Sequence, residues 1–310
     1  MCTCIFVNNN NSYFGRNMDL DYSLNEQMII IPRNYNVSFK KEKNIKNHYA
    51  IFGIGIINNN YPLFADAANE KGLAIAILNF KDNAYYNNEI NKNINLAPYE
   101  LALYLLCKCS CIDEVKEILK QTNICDIDFS NEVTNTPIHY MVSDKKQSIV
   151  IEPTINGLKV YDNPYNVLTN NPEFTYHKEN IKNYINLSIE DPKDNFNLIN
   201  KLIPYSYNQG LIGLPGDYSS SSRFIKALFI KNNMVFSGED PIIDFFLCLD
   251  SVKMLKGLVK TPLGYEYTIY NCCIDLNTLI YYYKDYNNNI KTFKLSKYDL
   301  NSNKILKYKL

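Results

Sequence analysis

The second residue of the chain is a cysteine, and a residue that small permits trimming of Met1, so Cys2 can come to carry a thiol and a free α-amine together. Nucleophile and base would then sit on one residue, and acyl transfer would need no second side chain to take the proton. The reference pKa of an α-amine is about 7.7–8.0 and that of a thiol about 8.5, so proton exchange between them is nearly balanced near neutrality. Position alone says little, since a cysteine can fall second by chance. The continuation is more specific: a short apolar run at 4–7, an Asn-rich turn, then Tyr13-Phe14-Gly15-Arg16-Asn17-Met18-Asp19, which reads as a β-hairpin. Its return strand brings Arg16 and Asp19 back beside Cys2. A guanidinium at the thiol favours thiolate, and a carboxylate at the amine orients it and holds its proton. The competing account of these two residues is an ordinary surface ion pair.

The elements that must hold this hairpin follow from periodicity. Runs at 27–32, 37–40, 49–56, 63–68 and 73–80 alternate or stay apolar between Asn and Gly turns and predict an antiparallel sheet. Residues 97–107 and 112–121 carry apolar residues at helical spacing, with Asp113 and Glu114 early and Lys116 and Lys120 late, as the helix dipole prefers. These two helices should pack together on one sheet face. Strands resume at 138–143, 148–152, 158–161 and 166–169, a helix at 174–185, a helical pair at 222–235 and 242–252, and a Tyr-rich hairpin at 265–275 and 278–286. Strands, two helices, strands, two helices, strands is the order of an α+β, four-layer αββα sandwich of two stacked antiparallel sheets. With no Gly/Ser/Pro linker in its 310 residues, the chain reads as one domain, 1–310.

Composition excludes several classes. Lys+Arg and Asp+Glu are both 32, so no net field attracts nucleic acid or an anionic membrane, and a small-molecule partner is expected. Hydrophobic residues at 46% suffice for a core, and 26 Tyr with no Trp make Tyr and Phe its aromatic content. There is no charged-then-apolar leader and no run of membrane-spanning length, which predicts a protein neither secreted by an ordinary signal nor anchored. Nine scattered cysteines predict reduced thiols in a cytoplasm. Cys107, Cys109 and Cys111 have a spacing that suggests a metal site, but i and i+2 point apart near a helix junction and the chain has only three His. They read as small buried apolar residues, with no metal. The Asn runs at 8–11, 58–60 and 287–289 fall between strands and read as turns.

Several short motifs succeed one another in order. Met1-Cys2-Thr3 and Phe14-Gly15-Arg16-Asn17-Met18-Asp19 are followed by Ile31-Pro32-Arg33-Asn34, Tyr61-Pro62, Phe64-Ala65-Asp66 and Asn69-Glu70-Lys71-Gly72-Leu73. Leu168-Thr169-Asn170 and Gly213-Leu214-Pro215-Gly216-Asp217 come later, and the series runs to about Tyr281-Tyr282-Tyr283. Together they resemble the choloylglycine hydrolase family, which holds bile salt hydrolases and penicillin V acylases, among the N-terminal nucleophile hydrolases. The resemblance implies the αββα fold of that superfamily and a cofactor-free amide hydrolase with catalytic residues Cys2, Arg16, Asp19, Asn79, Asn170 and Arg223. Asn170 would give a side-chain amide and Asn79 a backbone N–H to the tetrahedral oxyanion. Arg223, in Ser221-Ser222-Arg223-Phe224, opens a predicted helix, where a cation opposes the dipole, so a specific partner should hold it. His139 reads as a structural strand histidine, because the α-amine already fills the base role.

By the same resemblance Met18, Leu24, Ala65, Phe129, Val133 and Ile138 line the site of a bulky acyl group. Asn58 departs from the family, standing where bile salt enzymes tend to have a bulky apolar residue. Arg16 and Arg223, near the scissile bond, are expected to face a charged leaving group. Glycine- or taurine-conjugated bile salts come first as substrates; penicillin V or another N-acyl amide is the alternative, and Asn79 leans to bile salts because many penicillin acylases have Tyr there. A member of a different class, a silent binder of amphipathic ligands, is opposed by the joint presence of all six catalytic residues. Residues 186–209, polar and irregular with Pro192 and Pro204, resemble an assembly loop, which implies a homotetramer; a mobile surface loop is the competing account.

Overall fold

The computed structural model describes residues 1–236 and 240–310. In chain order it holds β1 (Cys2–Asn9), β2 (Asn11–Leu20), β3 (Gln27–Ile31), β4 (Ile51–Asn58), β5 (Tyr61–Asn69), β6 (Ala74–Asn79) and β7 (Ile94–Leu96). Helices α1 (Leu101–Lys108) and α2 (Ile112–Leu119) follow, then β8 (Thr122–Ile124), β9 (Ile138–Ser143), β10 (Ser148–Thr154), β11 (Gly157–Asp162) and β12 (Val167–Leu168). The last third holds α3 (Phe174–Asn180), α4 (Ser220–Asn233), α5 (Pro241–Asp250), β13 (Val259–Thr261), β14 (Gly264–Asp275), β15 (Ile280–Asp285), β16 (Ile290–Lys294) and β17 (Leu306–Lys309).

Two sheets stack. One is ordered β12-β1-β2-β14-β15-β16 with β13 on β14, the other β11-β10-β9-β6-β5-β4-β3-β17, and the pairings within both are antiparallel. The strand period of two sorts their side chains. Met28 and Ile30 of β3, and Ala74, Ala76 and Leu78 of β6, join the core between the sheets, which continues to α4 and α5. Their neighbours Ile29, Ile31 and Ile75 point the other way, into a second core with α1 and α2. Strands buried on both faces read as continuous apolar runs, and Met28-Ile29-Ile30-Ile31 is one. The four-layer αββα sandwich expected from element order is therefore the observed one.

Differences lie at short or irregular pieces. Residues 37–40 form no strand; Val37 makes a single bridge to Ile45, and the Lys40 N–H turns to Glu100 instead. The helix expected over 174–185 is α-helical only to Asn180 and continues as a 3₁₀ turn, Ile181–Tyr184. β7 and β8 are a parallel pair of three residues each, too short to carry a period. β16 and β17 close the outer edges of the two sheets, and their lysines hide them from a hydrophobic reading while guarding the edges against stray pairing. The segment 186–209 is less polar in effect than in composition, since Phe196, Ile199, Ile203, Tyr205 and Tyr207 are all at least 75% exposed. Its base is pinched by Ser188 N–H to Gly210 O at 3.0 Å and Gln209 N–H to Asp191 at 2.9 Å.

β2 and β14 meet unusually closely at Gly15. A Cβ there would collide with the Cys272 carbonyl and lie 2.9 Å from the Phe245 ring. Gly15→Ala should cost about 1–3 kcal/mol by overpacking, read as a lower denaturation midpoint at constant m-value. A variant as stable as the parent would mean that the strands do not approach in this register.

Candidate active site

Cys2 starts β1, and the hairpin register sets Cys2 opposite Met18 and Cys4 opposite Arg16. Arg16 is thus the diagonal neighbour of Cys2 on the same face, within reach of a long side chain. Its Nη2 donates to the Cys2 Sγ, and its Nη1 donates to the carbonyls of Ala65, at 3.0 Å, and Ile77. Both residues are buried, Arg16 completely. Burial works against the Arg16 charge, but Cys2, Tyr270 and Asp66 outweigh it and hold the guanidinium above its ordinary pKa.

Asp19 pairs with Thr268 across β2 and β14, and its Oδ1 accepts the Thr268 hydroxyl at 2.6 Å. Its Oδ2 has no hydrogen-bond partner among the described residues and lies 4.0 Å from Arg223 Nη1. Burial raises the Asp19 carboxyl while Arg223 and the chain's N-terminal amine pull it down. That amine, on Met1, donates to Asp19 O at 3.0 Å and pairs with Glu266, and the Asp19 N–H returns a bond to Met1 O at 3.2 Å. Burial lowers the amine's pKa, with Cys2 and Asp19 opposing.

Arg223 lies in the first turn of α4, capped by Ser219 and flanked by Asp217. Its Nη1 donates to Cys2 O and, at 2.6 Å, to Thr3 Oγ1; its Nη2 donates to Asn170 Oδ1 at 2.8 Å, its Nε to Tyr218 O at 3.0 Å. The specific partner expected for a cation at a helix start is this set, together with the nearby Asp19 and Asp217 carboxylates. The expectation that Arg16 and Arg223 face a leaving group fails. Both guanidiniums point into the protein, because each strand-borne carbonyl there needs a donor and each buried cation needs acceptors.

Asn170 ties these parts together. β12 pairs with β1 through Cys4 and Leu168, so Asn170 emerges beside the start of β1. Its Oδ1 accepts the Cys2 N–H at 2.7 Å, its Nδ2 donates to Asn79 O at 2.8 Å, and its own N–H goes to Ser220 Oγ at 2.8 Å. Asn79 ends β6 opposite Ile138. The six residues expected to be catalytic are thus assembled at one place. Of the apolar lining, Met18 opposite Cys2, Ala65 at Arg16 and Ile138 opposite Asn79 border it. Phe129 packs on Tyr61 and Tyr99, ring centroids 5.8 and 5.3 Å away, and Asn58 adjoins them as the hairpin partner of Tyr61. Leu24 and Val133 are exposed on loops, and no described contact joins either to Cys2.

His139 is a strand histidine inside the protein: one ring nitrogen is 3.1 Å from Glu152, the other 2.9 Å from Thr169 O, and Phe80 stacks on it at 4.3 Å. It steadies the segment carrying Asn170. His177, Glu152 and Asp66 went unnoticed in the sequence; only Asp66 lay in a quoted motif. Cys107 and Cys109 are buried, and burial pushes the Cys109 thiol up to about 12. A cavity of about 630 Å³ lined by Arg33, His48, Glu70, Lys71 and Lys108 opens near the β5–β6 turn, at the end of β6 away from Asn79. Among the described residues no helix is long and apolar enough to cross a membrane.

The sequence model of the linear amide C–N hydrolases, choloylglycine hydrolase family, matches residues 2–308, so the chain belongs to that family of hydrolases. A bile salt hydrolase/transferase of Lactiplantibacillus plantarum is 43% identical, covering 100% of this chain and 97% of its own length. One from Clostridium perfringens is 40% identical over the same shares. The crystal structure of the C2A mutant conjugated bile acid hydrolase from Clostridium perfringens superposes with a TM-score of 0.93 at 38% identity, covering 100% of this chain and 97% of that one. Penicillin V acylase from Agrobacterium tumefaciens shares the fold, with a TM-score of 0.78 at 20% identity over 100% of this chain and 91% of the other.

One titration is attached to this site. His177 Nε2 holds Asn170 O at 3.0 Å and the ring stacks on Phe224, and burial lowers its pKa from 6.5 to about 4. The unfolded chain therefore takes up the proton first, so the stability held by neutral His177 is complete above about pH 6.5 and is lost on the way down to about pH 4. The gap corresponds to on the order of 3 kcal/mol. His177→Asn should flatten the stability profile between those pH values in denaturant titrations; equal acid slopes in both proteins would place the titration elsewhere.

Proposed function

We propose that the chain is a cysteine N-terminal nucleophile amidohydrolase that cleaves glycine- or taurine-conjugated bile salts. The observation that carries the reading is the setting of Cys2: Arg16 at its sulfur, Asn170 at its nitrogen and Arg223 at its carbonyl, all buried. Removal of Met1 would turn the Cys2 N–H into an α-amine beside Asn170 Oδ1, on the strand pair that carries Asp19, whose Oδ2 takes no hydrogen bond among the described residues and is an acceptor suited to an ammonium.

In the proposed cycle the α-amine takes the thiol proton and the thiolate, favoured by Arg16, attacks the amide carbon. The resulting oxyanion takes hydrogen bonds from the Asn79 backbone N–H and from the Asn170 Nδ2 hydrogen not bonded to Asn79 O. Collapse expels the amine, which receives the proton held on the α-ammonium, and leaves a thioester. Water, deprotonated by the α-amine, then releases the carboxylic acid and restores the thiol. Arg223 and Asp19 hold the Cys2 main chain and charge rather than touch substrate.

Cys2→Ala should lower kcat at least about a thousandfold while the protein still folds, with a lower melting temperature because buried Arg16 loses the sulfur as an acceptor, and Cys2→Ser should also be very poor. Iodoacetamide should label Cys2 first among the nine cysteines; an activity-linked thiol elsewhere would sink the assignment. Glycine and taurine conjugates should both be accepted, with penicillin V at least about a hundredfold poorer in kcat/KM, because a steroid body buries more apolar surface. Penicillin V turned over as well as either conjugate would reverse the order of substrates.

The same proposal includes a homotetramer with no nucleic-acid or membrane partner, in a cytoplasm where the nine unpaired cysteines stay reduced. Its support is the apolar surface of residues 186–209, of the kind that marks an interface. Light scattering should give four chains for the parent and smaller species when the loop is shortened; a parent monomer at micromolar concentration would end the idea.

A further inference from the structure

Asp66, in the middle of β5, is fully buried, and none of the chemistry above uses it. Its Oδ2 accepts the Tyr270 hydroxyl at 2.7 Å; its Oδ1 accepts the Tyr281 hydroxyl at 2.5 Å and the Cys272 thiol at 3.5 Å. Asp66 belongs to the eight-stranded sheet, whereas all three donors stand on β14 and β15 of the other sheet. Arg16 makes the reverse crossing, from β2 in the seven-stranded sheet to the carbonyls of Ala65 and Ile77 in β5 and β6. Opposite charges from the two sheets therefore pass each other through a buried interface, with Arg16 bonded to the carbonyl of the residue just before Asp66.

A buried carboxylate is weak ground for stability, since an apolar side chain of similar volume in its place is often neutral or better. What Asp66 supplies that an apolar residue cannot is charge. Around Cys2 the buried charges are Arg16 on β2, Arg223 on α4, Asp19 on β2 and the N-terminal amine with its partner Glu266 on β14; with the thiol neutral they leave an excess of one cation, which Asp66 offsets. Cys4 on β1, Tyr270 and Cys272 on β14 and Tyr281 on β15 also face this cluster, and burial pushes each of them up, so they stay neutral donors or bystanders. Burial raises the Asp66 carboxyl too, while Arg16 and the two tyrosines oppose it.

We propose that Asp66 is a positioning residue: its bonds to the opposite sheet hold β5 where the Ala65 carbonyl meets Arg16, and through Arg16 it sets the reactivity of the Cys2 sulfur. This rests on the reading of Cys2 as the nucleophile. Removing the carboxylate charge makes the cluster more positive, so the thiolate becomes easier to form but is a weaker nucleophile, and the cross-sheet bonds beside the Ala65 carbonyl that holds Arg16 are weakened.

The test follows the pH dependence of iodoacetamide alkylation at Cys2, located by peptide mass spectrometry, beside kcat and KM. Asp66→Asn should move the alkylation midpoint about one pH unit lower and cut kcat about tenfold with KM near the parent value. Tyr281→Phe removes one hydrogen bond from the same carboxylate but leaves its charge; it should lower the melting temperature with the midpoint unmoved. If Asp66→Asn does not fold, Asp66→Ser, smaller and still able to accept one hydroxyl, gives the same reading. A neutral variant that is merely less stable, with midpoint and kcat of the parent, would overturn the proposal and leave Asp66 a staple between sheets. Alkylation of a different cysteine in the parent, or activity surviving in Cys2→Ala, would instead sink the assignment of Cys2 and take the role of Asp66 with it.

Discussion

Two fully buried guanidiniums beside one thiol impose the strictest condition on this structure. A cation removed from water must find acceptors for nearly all of its N–H groups, and the cost of leaving one unpaired exceeds what any single packing contact returns. Arg16 meets the condition with carbonyls of the facing sheet and with the Cys2 sulfur, Arg223 with the Cys2 carbonyl, Thr3 and Asn170. Satisfying these donors fixes how far apart the sheets stand, where α4 begins and how the Thr169–Asn170 segment lies against β1. The geometry around Cys2 is therefore a by-product of burying charge, which explains why residues from β1, β2, β6, β12 and α4 converge within so small a space.

That convergence also separates two roles that look alike in a sequence. An arginine near a reacting bond suggests contact with a charged substrate, but here both point away from solvent and organise the main chain. In the proposed reaction, recognition of a large acyl group would fall to the apolar border at Met18, Ala65 and Ile138, with the Tyr61, Tyr99 and Phe129 cluster as a further apolar surface. On that reading specificity and reactivity belong to different sets of side chains, and one set can change without the other.

Much of this was legible from residue order, for reasons that differ by element. Strands such as Met28–Ile31 announce themselves because both faces are buried, and the Cys2 hairpin because a turn joins two apolar runs. β16 and β17 escaped because edge strands are kept polar, and residues 37–40 misled because β-like composition gave way to a side-chain bond with Glu100. At the site, Cys2, Arg16 and Asp19 were within reach of local reasoning, since a hairpin register relates them. Asn79, Asn170 and Arg223 needed family likeness, because their approach to Cys2 depends on pairings between segments far apart in sequence. Asp66, His177 and Glu152 act from behind those groups, where nothing in a local pattern marks them.

The turns carry a consequence of their own. Among the described residues, asparagine holds nine of the twelve left-handed backbone positions not occupied by glycine. Asparagine tolerates that conformation through local hydrogen bonding, yet its side chain restricts the denatured chain in a way glycine does not. Each such corner therefore surrenders less conformational freedom when the chain folds, by up to roughly 1 kcal/mol where the comparison with glycine is favourable. A bias that looks like idle low complexity thereby lowers the entropic cost of closing three hairpins, β1–β2, β4–β5 and β15–β16, and several longer loops.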